Sequence, residues 1–243
     1  MQSSLYKTID KLYNLLYNET VINQDKGCQV PMKNVYSIVL SADIVEKIDR
    51  LAYEQGTNRS NMINQILAEY VSYTTPEKRF REIFRQMETL LSENAFKALT
   101  PSDTMLSLRS ALAYKYNPTV KYNVELYRTE QNEIGELRVS LRTQNSGLIA
   151  YMTEFYRLWI SIEMKYRGNI PFLISDGKYS RKLILYTTVS MAEIDLGRAI
   201  AAYIEAFDKA LKLFFRYSDF PEQGAAEAEA VSLEYLSKNR VLI

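Results

Sequence analysis

The sequence predicts an α+β protein in two unequal parts: a small strand-helix-helix unit, then a larger domain with an antiparallel sheet and long helices. Three observations carry this. Apolar residues recur at helical spacing up to Leu91, switch to a period of two from Val120, and return to helical spacing after Ser146. Pro76, after Thr74-Thr75, can open a helix but cannot continue one, and so marks a boundary. Residues 34–71 fit a β run and two short helices into about forty positions.

Composition sets the limits. The chain has 243 residues, 47% hydrophobic and 24% charged, values of an ordinary globular protein with enough length for a proper core. The longest apolar stretches, such as Ala199 to Ile204, are far short of the ~20 residues of a membrane span. Residues 1–20 lack a cationic start followed by an apolar block, so no secretory leader is expected. There are 0 histidines, which excludes Ser-His and Cys-His nucleophiles, histidine bases and His-containing zinc sites. Cys28 is the single cysteine, so neither an internal disulfide nor a cysteine metal cluster can form. The expectation is a cytoplasmic protein with no cofactor, no metal and no membrane partner.

In chain order, residues 4–17 read as a short amphipathic helix with Leu5, Ile9, Leu12, Leu15 and Leu16 on one face. Asn18 to Pro31 read as a linker, so residues 1–31 form an N-terminal helix and linker, 32–75 the small domain and 76–243 the large one. Pro76 to Leu91 is helical, with Phe80, Ile83, Phe84, Met87 and Leu91 at helical spacing. Residues 104–116 fit helix or strand equally. Val120–Leu126 and Leu137–Leu141 alternate as strands, with a turn expected at Gln131–Gly135. Ser146 is expected to cap the next helix, Phe172–Ser175 and Lys182–Val189 to form strands around Asp176-Gly177, and Ala192–Phe215 a long helix. The Ala-Glu stretch after Gly224 predicts a last, more exposed helix.

Residues 34–71 are the most informative. Asn34–Ser41 is a β run ending in a helix cap, since Ser41 can accept bonds from first-turn amides and Asp43 suits the positive helix end. The first helix places Ile44, Val45, Ile48, Leu51 and Ala52 on one face and ends at Gly56. Asn58 caps a second helix, whose inner face is Met62, Ile63, Ile66, Leu67 and Tyr70. A lone strand leaves both edges unpaired and a unit this small buries too little apolar surface. A symmetric dimer with the two strands paired antiparallel is the simplest remedy.

The order and spacing of Ile38, Leu40-Ser41, Ile44, Ile48-Asp49, Leu51-Ala52, Gly56, Asn58-Arg59-Ser60 and Met62-Ile63 resemble the ribbon-helix-helix family of DNA-binding regulators. The resemblance covers about a sixth of the chain; residues 76–243 resemble no family. It implies an obligate dimer, with a homodimer or higher oligomer as the partner state, whose paired ribbon enters the major groove of double-stranded DNA. Taking Tyr36, Ile38 and Leu40 inward leaves Val35, Ser37 and Val39 facing the bases. Ser37 can hydrogen-bond a base edge, whereas a valine can only touch a thymine methyl. The family's phosphate grip, at the second helix's amino end, falls on Asn58, Arg59 and Ser60. Lys33, Asn34, Lys78, Arg81 and Arg85 are candidates for extra DNA contacts, the last three sharing a helix face by spacing. Against this, residues 34–75 carry three basic and five acidic side chains, a net of −2, which disfavours non-specific attraction.

The function implied is a sequence-specific transcriptional regulator, a repressor being the usual form. Its larger domain would sense a small ligand, oligomerise or bind a protein. Two alternatives stay open: a plasmid partition, relaxosome or antitoxin component that also binds DNA, and a scaffold that uses the ribbon only to dimerise. For Arg59 the competing expectation is a solvated or salt-bridged side chain, and for Lys78–Arg85 a solvated face alternating with Glu77, Glu82 and Glu88. Catalysis is not expected. Glu154 and Glu163 sit on one long helix but more than two turns apart and share a face only loosely, and Glu133 and Glu136 read as solvated carboxylates beside a turn.

Overall fold

A computed structural model of the chain describes residues 37–243 apart from 72, 74, 94–95, 100–101, 116, 129–131, 176 and 186–194. The expected helix at 4–17, the linker, Cys28, and Lys33, Asn34, Val35 and Tyr36 lie outside the described residues. Two helices come first, α1 (Ala42–Glu54) and α2 (Arg59–Tyr70), then α3 (Pro76–Ser92). Strands β1 (Lys97–Leu99), β2 (Met105–Ala111), β3 (Thr119–Leu126) and β4 (Glu133–Leu141) lead to the long helix α4 (Ser146–Arg167). A hairpin of β5 (Phe172–Ser175) and β6 (Lys178–Ile184) is followed by α5 (Leu196–Arg216) and α6 (Pro221–Lys238). None of these helices is long and apolar enough to cross a membrane.

The six strands form one antiparallel sheet in the order β1-β2-β3-β4-β6-β5. Alternation decides which face is dry. Leu108, Tyr122, Val139 and Tyr179 lie opposite one another across four strands and are 0–1% exposed. The helices cover that face: Tyr122 Oη and Ser110 Oγ donate to Asp208 of α5 at 2.7 and 3.2 Å, and Tyr156 Oη of α4 donates to the Val139 carbonyl at 3.3 Å. Phe207 of α5 sits centrally, its ring 5.3–6.4 Å from those of Tyr122, Phe155, Tyr156, Trp159, Tyr179 and Tyr203. A second, separate core holds the small unit together and consists of Ile48, Ala52 and Met62, with Leu40 and Ile63 beside it.

The sheet, the capped helices and the α+β class agree with the sequence, but several boundaries move. The ambiguous 104–116 segment is strand over Met105–Ala111. The turn expected up to Gly135 is shorter, because Glu133, Ile134 and Gly135 already belong to β4, with a bulge between Glu133 and Gly135. Gly135 serves close approach there: a Cβ would collide with the Glu125 carbonyl of the neighbouring strand. Asn145, not Ser146, caps α4, its side-chain oxygen accepting from the Leu148 amide at 3.0 Å. Ser41 occupies the N-cap position of α1 without a side-chain cap bond. The second strand of the last hairpin begins at Lys178 rather than Lys182, immediately after Gly177 (φ +68). Its inward residues are Tyr179, Arg181 and Leu183, and a charged residue in the dry register hides the alternation. The long helix starts at Leu196, capped by Asp195, whose side chain accepts from the Arg198 amide. The last helix starts at Pro221, before Gly224, and buries Ala228, Val231 and Tyr235.

Candidate nucleic-acid interface

Gly56, at φ +62, carries the chain out of α1, with its amide on the Tyr53 carbonyl (3.1 Å) and that of Thr57 on Ala52 (2.8 Å). Asn58 is extended and accepts from the Asn61 amide at 3.0 Å, the cap its position predicts. Arg59 and Ser60 therefore open α2, both exposed. The Arg59 guanidinium grips Asp49 of α1 with two prongs, Nε to Oδ1 at 2.6 Å and Nη2 to Oδ2 at 2.5 Å. That hydrogen-bonded pairing holds the Asp49 carboxyl below its ordinary range and raises Arg59. A phosphate at this helix end must compete with a carboxylate already in place.

The other candidates divide. Ser37 and Val39 are exposed, Val39 at 98%, and Ser37–Leu40 lies outside the six-stranded sheet. Lys78 pairs with Glu69 at 3.2 Å, and Arg85 pairs with Glu82 at 2.6 Å. Arg81 is exposed and has no ion-pair partner among the described residues. With Gln55, Gln65, Glu69, Tyr73 and Lys78 it lines an open cleft of about 110 Å³ where α2 meets α3. Mixed charges make this a poor anion site.

The apolar faces of the helix pair are only partly used. Ile48, Ala52, Met62 and Ala68 are buried, yet Ile44 is 47% exposed, Leu51 40%, Leu67 50% and Tyr70 87%. Of the expected inner face of α2, only Met62 is buried and Ile63 half-buried.

Sequence reading missed a buried ionic centre in the large domain. Glu163 and Arg181 are 4% and 0% exposed, and Arg181 donates to Glu163 Oε1 at 3.0 Å. Tyr179 and Tyr203 donate to Glu163 Oε2 at 3.3 and 3.2 Å, and Trp159 Nε1 donates to Tyr203 Oη at 2.9 Å. Arg181 and Arg167 both donate to the Ile243 backbone oxygen. Burial alone would lower the Arg181 pKa, and the facing Glu163 carboxylate together with Tyr203 and Tyr179 more than reverses it. Burial raises both tyrosines. Glu154 is exposed and takes no part, so the two acids read together on α4 are not a pair. Glu136 is half-buried rather than solvated, accepting from Tyr127 (3.0 Å), Arg138 and Ser180 while Lys182 donates to Tyr127 at 2.9 Å. Both clusters spend their polar atoms on one another, as structural networks do.

No protein-family model matches the chain, and neither does any curated protein or solved structure.

Proposed function

We propose that the chain is a dimeric, ribbon-helix-helix type DNA-binding regulator, with the segment before α1 pairing with its twin and α2's amino end on phosphate. The supporting observation is the half-covered helix pair. Its private core is three residues, and the stripe of Ile44, Leu51, Ile66 and Leu67 faces solvent. A second copy offering the same stripe would cover it. Sedimentation should give twice the chain mass, and Leu67→Glu should yield monomers that no longer bind DNA.

Selection of bound fragments from genomic DNA at physiological salt should recover a short inverted repeat. Arrays or a transfer origin would instead point to partition or relaxosome work. Arg59→Ala should weaken binding to every sequence alike and lower the salt slope by about one unit for each phosphate no longer neutralised. Ser37→Ala should change sequence preference more than affinity. A monomeric parent chain, or identical slopes for Arg59→Ala and parent, sinks the proposal.

One observation favours the scaffold alternative. Arg50, Arg59 and Lys78 around the helix pair are each engaged by a carboxylate, on Glu46, Asp49 and Glu69 respectively. A scaffold would dimerise without salt-dependent DNA binding, and the same titration separates the two.

A further inference from the structure

The helices cover one face of the sheet, and the other presents a charge pattern that the helix pair does not explain. Register places Lys97 opposite Arg109, Arg109 opposite Lys121, Lys121 opposite Ser140, and Ser140 opposite Lys178. Directly opposed residues share a face, so these five form one row across β1, β2, β3, β4 and β6 on the side away from the helices. Lys97, Arg109 and Lys178 are exposed and Lys121 is half-exposed. Arg142, two residues beyond Ser140 and bonded through its amide to the Thr119 carbonyl, adds a fifth cation, exposed, at the same end.

These five cations have no ion-pair partner among the described residues. Carboxylates on the open face, Glu125, Glu133 and Glu136, lie toward the opposite end and are tied to Arg138 and Lys182. The face is therefore polarised along the strands, with cations unpaired among the described residues at one end and neutralised charge at the other. Holding like charges in one row costs stability, a cost an anionic partner would remove. Residues 1–36 carry four lysines against three acids, so their composition is not anionic.

We propose that this open sheet face is a sequence-independent docking surface for the phosphate backbone of duplex DNA, centred on Lys97, Arg109, Lys121 and Lys178. Four steps of about 4.8 Å spread the row over about 19 Å, a length along which a duplex offers about eleven charges. The row has no aromatic ring to stack an unpaired base, which disfavours a single strand. It has no large apolar group to enter a bilayer, which disfavours an anionic membrane. Ser140 within it, and Ser107, Asn123 and Ser180 in the next row, are small hydrogen-bonding groups, and that next row ends in Leu99 and Leu173 on the two edge strands.

The test uses the full chain and a short duplex of arbitrary sequence, with affinity followed between about 50 and 200 mM salt. Replacing Lys97, Arg109, Lys121 and Lys178 together by Gln should reduce the slope of log affinity against log salt by about three to four units. Lys121→Gln alone should remove about one unit, and it guards against a misfolded quadruple variant. A parent chain that ignores the duplex, an unchanged slope in both variants, or tighter binding to single-stranded DNA, to anionic phospholipid vesicles or to an acidic peptide overturns the proposal. The regulator reading is tested separately by Arg59→Ala and by sequence preference: its failure would leave the sheet-dependent slope intact, and failure of the sheet face would leave the preference intact.

Discussion

Glu163→Gln should cost the folded chain about 3–5 kcal/mol, read as a fall in the urea midpoint at unchanged slope. The carboxylate is the anion facing the fully buried Arg181 guanidinium, and it also receives hydroxyls from Tyr179 and Tyr203. An amide is neutral and strands a cation in a dry core, where charge without a counter-ion is costly. The pair itself need not be a net stabiliser. Replacing Glu163 by Leu and Arg181 by Met together should therefore cost less than Glu163→Gln alone. Glu154→Gln, on the more open side of the same helix, should stay within about 0.5 kcal/mol. A small change for Glu163→Gln would mean that the centre is wet or loosely held.

Phe207→Ala should be of comparable size, about 3–5 kcal/mol, for a different reason. Its ring is 0% exposed and meets aromatic rings from β3, β6 and α4 as well as from its own helix. Rigid rings anchored on separate elements cannot collapse into the space left behind, so transfer and cavity terms both apply. Leu233→Ala on the exposed face of α6 is the control, expected to change stability by no more than about 0.5 kcal/mol. Equal effects of the two would deny Phe207 its central place.

Much of this architecture is legible in the sequence. Strand alternation around Val120–Leu126, the break at Pro76 and the cap at Asn58 rest on local chemistry, and local chemistry survives into the fold. The start of β6 is illegible because Arg181 occupies a position that the pattern reserves for an apolar residue. Its partner Glu163 lies on another element, and pairing across elements leaves no local trace. Gly135 reads as turn material, although its task is to let a neighbouring carbonyl come close. The basic row is equally invisible, since its cations are far apart in sequence and only register unites them. At the helix pair, the sequence allows both phosphate contact and a salt bridge for Arg59, and the isolated chain adopts the bridge.

The two unconnected cores carry a consequence for how the molecule comes apart. An interior as large as that of the sheet domain melts as one body at a temperature indifferent to dilution. A knot of three apolar side chains has no such reserve, and in the dimer proposed above the second copy would supply the rest of its cover. Under that proposal, dilution would loosen the amino-terminal helix pair while the remainder stayed intact, and abundance in the cell would set how much of the protein is paired.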